Sequence, residues 1–457
     1  MSSVAVVTVG DGPSGLVEGL ERLHGPVTVV RRCAALSELL AACQSGLARA
    51  AVIAADTQEL TATLVDRLAA VGVAVVALAQ EPGEVARLSG LGVVVASPAA
   101  PAEVLAARIC AAAAAGVHAS PGGYAHGPAP LPAQAPVGAV GHPGPADGGR
   151  AAALALAQDP AEDGHRAAAE GSGPTVVAVW GPTGAPGRTT VAMNMAAELA
   201  ASGRSVVLVD ADSYGASVAA SLGLLDESAS LAHACRLADA GSLTAATLEK
   251  VAQRVVFAGG SLRLLSGLTR ADRWPELRPA AVERVLAVCR EIAQVTVVDC
   301  GFSLENDEEL SYDTLVPRRN GATLAVLAAA DTIFAVGAAD AVGIPRLIRA
   351  VGDLAAAGTT AQTVVLLNKV RRSAFGGQGE RSLVAAWERF GPEQTIGHFL
   401  PWDGDVLDKA LLSGRLLIEA APDSALRKSI AGVVCAPVQR SRRTAVSKTT
   451  AKAKNKG

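Results

Sequence analysis

The residues whose types and spacing most clearly suit chemistry are Gly181-Pro182-Thr183-Gly184-Ala185-Pro186-Gly187-Arg188-Thr189-Thr190. An apolar run, Thr175 to Trp180, precedes them, and a helix-like run, Val191 to Ala201, follows. Strand, glycine-bearing turn, Thr-Thr and helix is the layout of a phosphate-binding loop. Glycines let the backbone turn its N–H groups around an anion, and the positive end of the next helix faces the same anion. A hydroxyl closing the loop, here Thr189, can ligate Mg²⁺. Against the pattern G-x-x-x-x-G-K-[ST], Pro182 stands in place of the first glycine and Arg188 in place of the lysine.

Two more apolar runs end in acids. Ser205 to Val209 leads into Asp210-Ala211-Asp212, and Thr296-Val297-Val298 leads into Asp299-Cys300-Gly301. An aspartate at the carboxyl end of a buried strand beside such a loop can hold Mg²⁺, commonly through water. Trp180, Asp212 and Asp299 would therefore converge on one crevice of an open α/β sheet. Further strands are expected at Thr332–Val336, at Thr363–Leu367 (which runs on into Asn368-Lys369) and at Ile396–Leu400. Cys300 lacks partner cysteines and reads as a small buried residue.

The remaining elements precede this region. Over residues 1–116 five β-branched runs (Val4–Val9, Val27–Val30, Ala51–Ala55, Val73–Leu78, Gly92–Ala96) alternate with Ala/Leu-rich helical runs. All-apolar strands alternating with helices predict a parallel sheet covered on both faces. The helical runs are Leu16–Leu23, Leu36–Ala48, Leu60–Val71, Pro82–Leu88 and Ala102–Ala115. Residues 117–173 hold 19 Gly and Pro among 57 and read as an extended, disordered linker whose histidines lack metal-ligand spacing. Residues 438–457 form a basic tail, with seven Lys or Arg among the last eighteen residues and no apolar face.

Composition bounds the rest. With 457 residues, half of them hydrophobic, the chain can bury more than one core, and with 3% aromatics those cores must be built from Ala, Val and Leu. A net charge of −3 supplies no global field towards nucleic acid or membrane. Seven scattered cysteines without a C-x-x-C point to reduced thiols in a cytoplasm rather than a disulfide frame or a zinc site. No apolar run is long enough to span a bilayer.

The succession of glycine loop with Thr-Thr, V-D-A-D, V-V-D-C-G, L-L-N-K and L-P-W-D resembles the ParA/MinD branch of P-loop ATPases over residues 174–437. The five β/α units before it resemble a receiver domain, flavodoxin-like in fold. Receiver, linker and ATPase together are similar to the CpaE/TadZ subfamily, of the septum-site-determining type found in actinobacteria. The resemblance implies an α/β protein: a receiver-like domain plus a P-loop NTPase domain with a mostly parallel sheet. It implies ATP and Mg²⁺ as cofactors, with phosphates held by Gly184, Ala185, Pro186, Gly187, Arg188, Thr189 and Thr190. Thr189 and Asp299 would serve the metal, and Asp212, with Arg188, the catalysis. Asp210 would neighbour Asp212 on one switch, Gly301 would belong to the other, and Asn368 would read the adenine edge.

The resemblance also implies a homodimer and protein partners in septum or Tad-type pilus machinery. The location would be cytoplasmic, at the inner face of the plasma membrane or a cell pole where the basic tail meets anionic lipid or DNA. Two departures bear on activity. The family's signature lysine falls at Thr183, and the loop lysine is Arg188 in a chain with 8 Lys against 32 Arg. Arginine keeps the charge but not the geometry of lysine. The expectation is ATP binding with weak or partner-dependent hydrolysis; the alternatives are an active ATPase switch in chromosome or plasmid partitioning, or a scaffold. In the first domain Asp56 sits where a receiver is phosphorylated, but the acidic pair, the Ser/Thr and the Lys of that chemistry are replaced by Gly10-Asp11-Gly12, Ala79 and Ser97-Pro98. Asp56 is therefore expected to cap the helix that follows rather than accept a phosphoryl group.

Overall fold

Short Val- and Ala-rich runs become strands wherever neighbours can cover both faces, and they do so twice along this chain. The structure, a computed structural model, describes residues 3–10, 15–23, 25–118, 173–224, 229–305, 318–371 and 380–435. Most of the 117–173 linker, the acidic run 306–309 and the 438–457 tail lie outside the described residues. The described residues fall into two compact units, one built around each of two sheets.

The first sheet holds β1 (Val4–Val9), β2 (Val27–Cys33), β3 (Ala50–Ile53), β4 (Ala74–Leu78) and β5 (Val94–Ala96) in the order β2-β1-β3-β4-β5. The β1–β2, β1–β3 and β3–β4 pairs are parallel. This is the flavodoxin-like doubly wound order. Strand β3 is buried along its length because strands cover both its edges, whereas the edge strand β2 exposes four of its seven residues. Val6, Val52, Val76, Leu105 and Ile109 share one core. Fully burying one such Leu or Ile contributes about 1.5–3 kcal/mol.

The helices differ from expectation at their ends. The second stops at Gln44, just before the left-handed Gly46, and the last runs through His118, past the expected domain end at 116. Asp56 does occupy the cap position of a short 3₁₀ turn, Thr57–Glu59. Its backbone is left-handed there (φ 55°), however, and its side chain makes no capping bond, so the expected capping role is corrected.

The second sheet comprises β6 (Thr175–Trp180), β7 (Val206–Ala211), β8 (Gln253–Phe257), β9 (Gly260–Leu265), β10 (Val295–Cys300), β11 (Thr332–Ala338), β12 (Gln362–Val370) and β13 (Ile396–Pro401). Its order is β13-β12-β11-β6-β10-β7-β9-β8, parallel except for the β8–β9 hairpin. That hairpin, turned at Ala258-Gly259, was not anticipated. Burial alternates along β8, which lies at the sheet edge.

The central strands β6, β10 and β7 are almost wholly buried, which is why their sequences read as continuous apolar runs. Two cores flank this sheet. One gathers Val176, Trp180, Val209 and Val298 with Val285 and Leu286; the other packs Val179, Leu208 and Val297 against Val191 and Met195 of the helix Arg188–Ala201. Because β6, β7, β10, β11 and β12 run parallel, their carboxyl ends open at one edge, and every anticipated site residue of this unit lies on or just beyond those ends.

Candidate functional site

The loop between β6 and the helix Arg188–Ala201 is built on left-handed residues: Gly184 (φ 107°), Ala185 (φ 50°) and Gly187 (φ 96°). A Cβ at Gly181 would collide with the Val336 carbonyl and one at Gly187 with Asn368 Nδ2, so Gly181 is glycine by contact and Gly187 by contact as well as by dihedral. Ala185 carries the same kind of conformation without that freedom, a strained residue inside the turn. Arg188 and Thr189 lie in the first turn of the helix, where their N–H groups have no partner within the helix.

Register then sets the acids. Asp299 of β10 pairs across the sheet with Asp210 of β7 on one side and Val179 of β6 on the other. Thr189 Oγ1 donates to Asp299 Oδ2 at 2.6 Å. Asp299 is fully buried and its Oδ1 has no partner among the described residues. Burial and the nearby Asp210 carboxylate hold its pKa well above the ordinary carboxylate range, against the Thr189 hydroxyl and the Arg188 charge. Asp210 is almost as deeply buried. It accepts bonds from the backbone N–H groups of Asp212, Ser217 and Val218, and burial pushes its pKa up to about 6.

Asp212, just beyond β7, has partners on both carboxylate oxygens. Its Oδ1 accepts from the N–H groups of Tyr214 (2.8 Å) and Gly215 (3.2 Å), and its Oδ2 from Arg188 Nη2 at 3.3 Å. Arg188 also donates through Nη1 to the carbonyls of Gly181 (3.0 Å) and Pro182 (3.1 Å). Its guanidinium thus lies inside the loop, shared between loop carbonyls and the acid. Gly301 sits so close that a Cβ there would lie 3.5 Å from Asp212 Oδ1 and 3.0 Å from Thr323 Oγ1. Arg319 stacks over the Tyr214 ring at 4.0 Å, and Tyr214 donates to Asn320 Oδ1, which ties the segment after Asp212 to the segment after Gly301. Cys300 is fully buried, its Sγ directed at the Val298 carbonyl.

A cavity of about 420 Å³ opens beside this cluster. Ala185, Pro186, Gly187, Arg188, Thr189, Thr190 and Asp212 line one end; Lys369, Trp402, Leu407, Leu411 and Arg415 line the other. Asn368 is not among the lining residues. It is buried and holds the loop instead, with Nδ2 donating to the Pro186 carbonyl at 2.8 Å and Oδ1 accepting from the Lys369 N–H. Its neighbour Lys369, which was not singled out from the sequence, is left-handed (φ 60°), donates to the Ala185 carbonyl at 2.8 Å and faces the Trp402 ring. Adjacency to Asn368 in L-L-N-K was the available signal.

The donor set fits a nucleotide with Mg²⁺. An unpartnered buried carboxylate oxygen beside a threonine hydroxyl is a hard-oxygen pair, and the loop offers backbone N–H groups with one fixed cation. Among the described residues no three His, Cys, Asp or Glu side chains are arranged to hold a metal ion by themselves, so a magnesium ion there would draw its other ligands from phosphate and water. No helix among the described residues is long and apolar enough to cross a membrane.

Residues 174–275 match the ParA family model, described as NUBPL iron-transfer P-loop NTPase, a span that includes the loop, the first helix and Asp210–Asp212. The match to the ParA model is confined to that span, which is less than a quarter of the chain. Solved structures with similar folds include a ParA family ATPase from Chlorobium tepidum TLS (19% identity, 57% of this chain and 98% of that one, TM-score 0.46). Others are the cell division ATPase MinD of Pyrococcus furiosus (16%, 57% and 96%, 0.43) and a Cyanothece McdA–ATP complex (20%, 57% and 96%, 0.44). Likenesses of this degree say nothing of what the present chain binds. No curated protein matches it.

Proposed function

We propose that the second unit binds ATP with Mg²⁺ and that the chain is a ParA/MinD-type spatial regulator, positioning septum or Tad-type pilus machinery with weak or partner-dependent hydrolysis. The observation that carries nucleotide binding is the Thr189–Asp299 pair at the mouth of the loop, with Asp299 Oδ1 buried and unpartnered. Thr189 and Asp299 would hold the metal, which when bound neutralises phosphate charge. Backbone groups of residues 184–190 and the Arg188 guanidinium would bind the phosphates.

Slow turnover rests on Asp212. A carboxylate that positions a water needs a free acceptor site; Oδ1 of Asp212 is filled by two backbone N–H groups, and on Oδ2 a water would compete with the Arg188 guanidinium. Thr183, exposed on the loop, supplies no charge. We place the domain limits at 1–118, 119–173, 174–437 and 438–457, with the first a pseudo-receiver used for contacts, the last a basic tail, and the ATP-bound form a homodimer.

Calorimetric titration of the full chain with ATP and Mg²⁺ tests the reading, and absence of measurable affinity would sink it. Phosphate release tests the second part: turnover at ordinary ATPase rates in the isolated protein, lost on Asp212→Ala, would overturn slow hydrolysis and leave binding intact.

A further inference from the structure

The loop 182–186 is a wall between two cavities. Ala185 to Thr190 line the large one, whereas Pro182, Thr183 and Gly184 line a smaller one of about 100 Å³, and Pro186 lines both. The far side of the small cavity is made by Ala338, Asp340, Val342, Gly343 and Arg346, from the end of β11 and the start of the helix Gly343–Ala356. Arg346 is half-buried, and its Nη1 lies 2.6 Å from where a Cβ at Gly184 would stand, so the guanidinium rests directly on the glycine. Among the described residues this guanidinium has neither a hydrogen bond nor an ion pair. Asp340 lines the same cavity without pairing to it; its Oδ1 caps the N–H groups of Val342 and Gly343 instead.

An unpaired guanidinium pressed on a phosphate loop is a charge without a counter-charge, and planar guanidinium recognises phosphate oxygens well. In loops of this kind the terminal phosphates lie towards the cation and the loop's start. We propose that Arg346 is a second phosphate-binding residue of this chain, contacting the terminal phosphate of a nucleoside triphosphate from the Thr183–Gly184 side. It supplies from the same chain a positive charge where Thr183 brings none, and it makes the site selective for tri- over diphosphate. The inference rests on the nucleotide reading above.

The test is calorimetric titration of the full chain, in Mg²⁺, with a non-hydrolysable ATP analogue and with ADP. Arg346→Ala and the longer, uncharged Arg346→Gln are each expected to weaken the triphosphate about tenfold while leaving ADP within about twofold, with Arg346→Lys losing less. Should the alanine protein not fold, the glutamine variant decides. Equal loss for both nucleotides, or loss for neither while the unsubstituted chain binds both, overturns Arg346 and leaves nucleotide binding standing. If the unsubstituted chain binds neither nucleotide, both readings fall.

Discussion

Arg188 is the residue on which the site depends most sharply. Its guanidinium makes three contacts: two to loop carbonyls at 3.0 and 3.1 Å and one to Asp212 at 3.3 Å, with the side chain only 12% exposed. Truncation in Arg188→Ala removes all three. Hydrogen bonds involving a charge contribute about 1.5–3 kcal/mol each, but water can reach the exposed loop and replace part of the loss, so a destabilisation of about 2–4 kcal/mol is expected in urea unfolding. For nucleotide binding one charge-assisted phosphate contact disappears, and about 1.5–3 kcal/mol corresponds to an affinity loss of about 10- to 100-fold.

Arg188→Lys separates the two roles of the residue. A lysine keeps a point charge for phosphate but has no fork to span both carbonyls and Asp212. It should hold ATP nearly as well as arginine while freeing Asp212, so phosphate release should rise. Titration calorimetry and a phosphate-release assay on the three proteins read both effects. If Arg188→Ala binds Mg²⁺ and ATP as tightly as the unsubstituted chain, the guanidinium is a loop brace and not a phosphate ligand. If Arg188→Lys leaves hydrolysis unchanged, engagement of Asp212 is not what limits it.

Further outcomes follow from single contacts. Thr189→Val should abolish the magnesium dependence of ATP binding, seen by titration with and without the metal, because it removes the hydroxyl and leaves Asp299 without its bond. Gly187→Ala should cost at least about 1–3 kcal/mol in urea unfolding and impair nucleotide binding, because φ is 96° and the new methyl meets the Asn368 amide. Arg427 holds the buried Glu198 of the loop helix through two bonds of 2.6 and 2.8 Å. Arg427→Ala should therefore cost about 3–5 kcal/mol in the same assay, whereas replacing both partners by methionine should be nearly neutral.

The stability of magnesium-free protein should depend on pH through Asp210. Its folded pKa, about 6, is raised above the ordinary 3.8, so the folded state binds more protons between those values. Stability from this group is therefore full only below about pH 3.8 and falls by about 3 kcal/mol as pH rises from there through 6. Urea midpoints at pH 4.5 and 7.5 should show a decline that is smaller in Asp210→Asn, the remainder coming from Asp299, whose pKa is raised in the same sense.

The loop and its acids were legible because buried parallel strands leave continuous apolar runs, and because the polar residues that end them stand out against such runs. Asp210, Asp212 and Asp299 could be picked out in this way before any fold was known. Most of the strands were legible for the same reason, to within a few residues at their ends, and the helix Arg188–Ala201 from the helix-like run Val191 to Ala201 after the glycine turn. The β8–β9 hairpin was passed over because one of its strands lies at the sheet edge and alternates rather than running apolar.

Pairing decided the rest. Asn368 is 182 residues from Pro186, and only the closeness of β12 to the loop turns its amide from a free reader of a ligand into a clamp on that loop. Arg346 lies in a helix with no motif, and its meaning comes from a glycine far earlier in the chain that leaves room for it. The backbone cradle, the hydroxyl and the order of the acids are local properties of chemistry and period, so the sequence by itself determined them. Which cation meets which carboxylate, and which oxygen is left unpaired, depends on strand register and on the contact of distant side chains, so only the tertiary structure could decide it.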